Sequence, residues 1–347
     1  MIKYDLRSDT LTRPGKEMRK AMYIADVGDD VYAEDPTINK LQNMAAKITG
    51  KKSALFVPSG SMGNLIALYI NCGKGNEVLT HRNSHIMHYE LSSVAAIAGA
   101  MPISVEGERG ILKPKELEKH LRPDIYYMSK VKMIEIENSH NKEGGTCYKL
   151  SELKAVSDFA KKNNLKVHMD GARIFNASAA TNISVKKMCS YVDTVTFCLS
   201  KGLGAPVGSI LCGSEKFIAE ARRVRKMLGG GMRQAGVLAA AGIYALENNV
   251  KPLIQDMENA KKIAKSLSLV KWAEIDLETV ETNILYFNTS QNADIIVSAL
   301  GKKGIICGAA SPKSIRMVTH LGISDEDTKE ICKIIKRFEL PGKGKKK

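Results

Sequence analysis

Two short strings mark where this chain could do covalent chemistry. His168-Met169-Asp170-Gly171-Ala172-Arg173 ends one strand-like run, and Ser200-Lys201-Gly202 ends another 31 residues on from Asp170 to Lys201. An acid and an amine at the ends of buried strands point into the crevice where open α/β sheets bind ligands. The pair can be an ordinary buried ion pair. Alternatively, Lys201 can form a Schiff base with pyridoxal phosphate (PLP) while Asp170 pairs with its pyridinium nitrogen. A third string, Pro58-Ser59-Gly60-Ser61-Met62-Gly63-Asn64, follows a strand and opens a helix. Small residues there let backbone N–H groups approach an anion at a helix N-terminus, which gives the PLP reading weight. Two nucleotide readings fail. No Gly-Lys-Ser/Thr follows the first glycines, and Pro206 interrupts the run Gly202, Gly204, Gly208, after which a strand begins.

The elements that must position these groups alternate. Strand-length apolar runs at 54–57, 77–80, 102–105, 133–137, 166–170, 194–199 and 207–212 are separated by helical patterns near 64–71, 114–121 and 152–162, the last with Ser151 as expected N-cap. That order predicts an α/β fold with a mainly parallel sheet covered by helices on both faces. After Gly208 the pattern changes to helices at 215–227, 234–247 and 253–267, strands at 272–275, 283–287 and 314–318, and a last helix opening at Ser324 with acids in its first turn. We therefore expect a large domain over residues 1–250, a smaller α+β domain over 251–340, and a basic, disordered tail at 341–347.

The ordered strings resemble one family throughout. Asp5-Leu6-Arg7-Ser8-Asp9-Thr10, Gly28-Asp29-Asp30-Val31-Tyr32-Ala33-Glu34-Asp35-Pro36, Phe56 to Asn64, Ser84-His85-Ile86, Glu137-Asn138-Ser139-His140-Asn141, Asp170 to Ala177, Phe197 to Leu203, Met227 to Gln234, and Ile315 to His320 are similar to the low-specificity threonine aldolases. The resemblance implies a PLP enzyme of the aspartate-aminotransferase-like fold, cleaving β-hydroxy-α-amino acids to glycine and an aldehyde. It also implies roles. Lys201 would carry the cofactor, Asp170 would keep its ring nitrogen protonated, and Gly60, Ser61 and Ser200 would hold the phosphate. His85 would stack on the ring near the substrate β-hydroxyl. Ser8, Arg173 and Arg316 would hold the substrate carboxylate, with Arg173 also counted among the cofactor-binding residues. Arg233 would reach the phosphate of a neighbouring subunit, in a homotetramer built from dimers. In the 124–128 segment, where many relatives carry a histidine facing the substrate, Tyr126 takes its place.

The same scaffold also supports β-eliminating lyases and aminotransferases, which are the alternative reading. A third is a basic nucleic-acid-binding protein, because Lys and Arg exceed Asp and Glu to give a formal net charge of +15. The basic residues are dense only at Arg222–Lys226 and in the Lys-rich tail, so solvated basic faces account for the surplus and no nucleic-acid partner is expected. The Arg222–Lys226 run suits either a helix C-terminus or a subunit interface. Apolar residues at 44% and charged residues at 26% describe an ordinary globular chain. An apolar run at 237–246 has ten residues, about half of what a membrane helix needs, and the first residues lack a signal peptide's apolar core. Seven scattered cysteines without a C-x-x-C pair fit a reducing compartment, so a cytoplasmic location is expected. His81, His85 and His88 have helical spacing, but with no acid or Cys ligand pair nearby no metal site is expected. His140 reads as a hydrogen-bonded structural histidine.

Overall fold

A computed structural model describes residues 4–340; the tail 341–347 lies outside the described residues. Seven strands form the main sheet: β2 (Ser53–Val57), β3 (Glu77–His81), β4 (Met101–Val105), β5 (Val131–Glu137), β6 (Lys166–Asp170), β7 (Thr194–Cys198) and β8 (Ser209–Gly213), with β1 (Tyr4–Asp5) lying elsewhere. Their order is β2-β8-β7-β6-β5-β3-β4. Neighbours from β7 through β4 pair in parallel, and β8 is antiparallel to both β2 and β7. Alternate side chains feed two separate cores. Phe56, Leu79, Ile134 and Met169 lie in one, and Leu55, Val57, Val78 and Met133 in the other. That is how a sheet covered on both faces reads as continuous apolar runs.

Where the expected elements shift, local chemistry explains it. The helix Leu150–Lys162 is capped at Lys149, not Ser151, because Glu152 Oε2 accepts the Lys149 backbone N–H at 2.8 Å. The helix Gly60–Asn71 starts four residues early, with Ser59 Oγ accepting the Met62 N–H at 3.2 Å. Strand β8 starts at Ser209, since Gly208 turns the chain at φ +102° and a Cβ there would meet the Phe56 ring at 2.4 Å. The last helix, Asp325–Arg337, has the expected Ser324 cap and acids in its first turn. The Arg222–Lys226 run does close a helix, Glu215–Met227, with Arg225 and Lys226 in its last turn, and Arg222 and Arg225 also grip the buried Asp30 carboxylate, at 2.9 and 2.5 Å, while Arg225 donates to the Phe56 carbonyl.

The C-terminal part has its own sheet and core. Strands β9 (Ala273–Glu274), β10 (Ile284–Thr289), β12 (Gly308–Ser311) and β13 (Ser314–Val318) pair antiparallel in the order β12-β13-β10-β9. Trp272, Phe287, Ile315, Ile331 and Ile335 fill the space between this sheet and the helices Leu253–Leu267 and Asp325–Arg337. Residues near the start of the described chain pack with this region: strand β1 pairs in parallel with β11 (Ile305–Ile306), and Tyr4 and Leu6 are buried in the C-terminal core. From there residues 7–12 lead toward the main sheet, where Asp9 meets Arg173.

Candidate active site

The carboxyl ends of β6 and β7 and the N-terminus of the helix Gly60–Asn71 enclose a cavity of about 280 Å³. Gly60, Ser61, His85, Asp170, Ser200 and Lys201 all line it, as do Asn64, Ala172 and Cys198. Asp170 is the last residue of β6, and its 4% exposure would be costly for a free carboxylate. It is not free: Asn64 Nδ2 donates to Oδ2 at 2.8 Å and the Ala172 N–H to Oδ1 at 2.9 Å. Burial pushes its pKa up, but the charges of His85 and Lys201 and these two hydrogen bonds outweigh burial and hold it below the ordinary carboxylate value. Asp170 therefore stays ionised inside the cavity.

The phosphate-like end is built from backbone. A Cβ on Gly60 would lie 2.9 Å from Cys198 Sγ and 3.6 Å from Ser209 Oγ, so glycine is what lets the start of this helix pack so close to β7 and β8. The Ser209 hydroxyl is buried with no partner among the described residues. Free helix N–H groups beside an unsatisfied hydroxyl suit an anion.

His85 opens a short helix, His85–His88, with its backbone N–H donating to Glu137 Oε2 at 3.0 Å. Its Nδ1 lies 2.8 Å from Glu90 Oε1, and Tyr89 packs 5.3 Å from its ring. Burial lowers the ring's proton affinity, but the Glu90 hydrogen bond and the Asp170 charge outweigh it, and the His85 pKa is raised. The other two histidines of the series turn away. His81 Nδ1 meets His140 Nε2 at 3.1 Å, and His88 Nε2 meets the Arg82 carbonyl. The donor atoms of His85, Glu90 and Asp170 do lie within 4.8 Å of one another, but hydrogen bonds already tie them together.

A second cluster stands at the seam between the two sheets. Arg173 forks the Asp9 carboxylate, with Nε and Nη2 each donating at 2.7 Å, and both residues are buried. Arg316, on β13, donates to the Arg7 carbonyl at 3.0 Å and to Asn141 Oδ1 at 2.7 Å. Arg173 Nη1 reaches the same Asn141 oxygen at 3.4 Å, and Arg316 Nε is buried without a partner. Burial and the nearby Arg173 charge both lower the Arg316 pKa. Two guanidiniums converging on one neutral oxygen make a site that an anion would complete.

Three expected site residues stand apart. Ser8 Oγ accepts from the Thr10 N–H and hydroxyl at 3.2 and 2.9 Å, on the segment that Arg316 holds. Arg233 is exposed and pairs with Asp29 at 2.8 Å, outside the cavity of its own chain. Tyr126 is fully exposed, stacked edge-on against Tyr127, and does not line the cavity. Conversely, sequence reading gave no role to Asn64, Glu90, Asp9 or Asn141. Asp9, Asn64 and Asn141 lie inside the strings that carry the resemblance, whereas Glu90, five residues after His85 and past the end of its helix, lies outside them.

The family model described as "Beta-eliminating lyase" matches residues 5–290. The chain belongs to that family. Low specificity L-threonine aldolase of Escherichia coli (strain K12) is 41% identical to it over 330 residues, covering 94% of this chain and 97% of the relative. Low-specificity L-threonine aldolase 1 of Arabidopsis thaliana is also 41% identical, over 336 residues, covering 94% of each. The solved structure of a putative L-allo-threonine aldolase from Listeria monocytogenes superposes with a TM-score of 0.82 at 21% identity, covering 96% of both chains. The resemblance and the expected fold class are borne out: this is the aspartate-aminotransferase-like α/β fold with a mainly parallel sheet.

Proposed function

We propose that this protein is a PLP-dependent carbon–carbon lyase that cleaves L-threonine and L-allo-threonine to glycine and acetaldehyde. The names of its 41% identical relatives support the activity. One observation carries the reading of the site: an amine, an ionised acid and an open helix N-terminus line one cavity, beside two arginines that share a neutral acceptor. PLP fits this donor set. The helix start at Gly60 and Ser61, with the unpartnered Ser209 hydroxyl behind it and Ser200 on the same cavity, suits its phosphate, and Asp170 suits its ring nitrogen.

When bound, PLP supplies an electron sink for the pair left on Cα as the Cα–Cβ bond breaks. Lys201 attaches the cofactor through its amine. Asp170, held ionised by Asn64, Ala172 and the neighbouring charges, keeps a proton at the ring nitrogen. Arg316, with Arg173 Nη1 beside it, takes the substrate carboxylate in place of Asn141, which fixes the bond that is set to break. His85 takes the β-hydroxyl proton, either directly or through water.

The finer assembly belongs to the same reading. Tyr23, Ile24, Val27, Val31 and Tyr32 are exposed on the segment whose Asp29 pairs with Arg233. An apolar strip of this size suits a second copy of the chain, and Arg233 then reaches its partner's phosphate in a dimer or a tetramer of dimers. Seven free cysteines, six of them buried, suit a cytoplasmic location, and no helix among the described residues is long and apolar enough to cross a membrane. The deciding experiment supplies L-allo-threonine to the PLP-loaded protein. Glycine and acetaldehyde in equal amounts support the aldolase, whereas an oxo acid with ammonia refutes it in favour of an eliminating lyase.

A further inference from the structure

Glu90 is a buried acid behind this cavity that the proposed chemistry does not yet use. It sits 6% exposed at the end of the turn that carries His85. Its Oε1 is shared: His85 Nδ1 lies at 2.8 Å and Asn64 Nδ2 donates at 3.0 Å. The same Asn64 nitrogen donates to Asp170 at 2.8 Å, while Asn64 Oδ1 meets His168 Nε2 at 3.2 Å. One asparagine thus ties the acid under the ring nitrogen to the acid behind the histidine. Glu90 Oε2 has no partner among the described residues, and an unsatisfied buried carboxylate oxygen is a cost that packing alone does not explain.

We propose that Glu90 is a positioning residue for the reaction: it holds the His85 ring with Nδ1 engaged, so that Nε2 is the nitrogen that meets the ligand. The arrangement follows the general pattern in which an acid behind a histidine fixes its tautomer and stabilises its charged form. This rests on the reading of His85 as the acceptor of the β-hydroxyl proton. The surrounding charges are consistent with it. Facing Glu90 are His85 from its own turn, Asp170 from β6 and Glu135 from β5, and Lys201 acts on His85 from beyond β7. Burial pushes Glu135 far up, with the Asp170 charge adding to it, so Glu135 stays protonated beside Thr80. Burial also raises Glu90, with Asp170 adding and the His85 and Asn64 bonds only partly offsetting. Of the three acids Asp170, Glu90 and Glu135, only Asp170 is pushed down, while Glu90 and the His85 ring it touches are both raised.

The test uses full-length protein with labelled histidines, followed by NMR without PLP and by kinetics with it. In the native protein His85 carries its proton on Nδ1. Glu90→Gln keeps an oxygen toward Nδ1 but removes the charge, so the His85 titration and the acid limb of kcat/KM both move to lower pH, and kcat/KM falls about ten- to hundredfold. Glu90→Ala loses the tautomer preference as well. In both variants PLP still binds and gives its visible band. A native ring protonated on Nε2 alone, or an unmoved titration and acid limb in a folded Glu90→Gln protein, overturns the proposal. Because the tautomer is read without cofactor, native protein that fails to bind PLP refutes the aldolase reading and leaves this measurement standing.

Discussion

The two halves of the site are built in different ways. The cradle around Lys201 belongs almost entirely to the main sheet: Asp170 and Ser200 lie at or just beyond adjacent strand ends, and Gly60 begins the helix behind β2. Its charge is balanced by a buried network reaching from His85 through Glu90 and Asn64 to Asp170. The carboxylate grip is assembled across the seam instead, from Arg173 on the main-sheet side, Arg316 on β13 and the segment around Asp9. One arginine there is fully neutralised by Asp9, whereas the other leaves a buried nitrogen unpaired. The lesson is that the cradle is fixed by one core, while the grip depends on how the C-terminal region and the first residues dock against it.

Mutations that separate the halves sharpen this contrast. Lys201→Ala is the largest change: cleavage of allo-threonine falls by roughly a thousandfold or more, with loss of the visible band and little change in stability. Full activity in that variant would end the assignment of the cradle. Arg173→Ala strikes the grip through folding. It strands the Asp9 carboxylate, whose pKa is held far below the ordinary value by the Arg173 charge and hydrogen bonds against its own burial, so unfolding free energy drops by about 3–5 kcal/mol. Arg316→Ala breaks no ion pair among the described residues, so urea unfolding moves little while KM rises roughly ten- to hundredfold. Equal stability losses in the two variants would erase the distinction between the paired and the unpaired arginine.

The smallest effect concerns Asp256, which is buried on the helix Leu253–Leu267 where Thr319 donates to its carbonyl. Burial raises its carboxyl pKa to about 8, with the nearby Asp9 charge adding to the shift. Between the unfolded value of about 3.9 and that folded value, the folded state keeps a proton that the unfolded chain has lost. This contribution to stability is therefore present at acid pH and is lost as pH rises toward 8. Asp256→Asn does not titrate, and its melting temperature should stay flatter between pH 5 and 8 than that of the native protein. Melting curves at several pH values check this, and parallel profiles would place the raised group elsewhere.

How much of this was legible in the sequence divides along the same line. The strands of the main sheet announce themselves because residues buried on both faces tend to be apolar in an unbroken run, as at 54–57 in β2. Asp170 and Lys201 were legible because strand ends are local features. The grip was legible only as resemblance: nothing local in Arg173 says that Asp9, 164 residues earlier, forks it. The pairing of β1 with β11 was hidden for the same reason, as was the hold of Arg222 and Arg225 on Asp30. Tyr126 shows the limit of resemblance, because a matched position does not fix where a loop side chain goes, and here it goes to solvent.

The central claim is that Lys201 is the cofactor-bearing amine of a site completed by Asp170 and the helix beginning at Gly60. Borohydride reduction of the PLP-loaded protein, followed by peptide mapping, tests it most directly. The account predicts one pyridoxyl adduct, on Lys201. An adduct on another of the chain's lysines, or none in protein that has bound PLP, would contradict it.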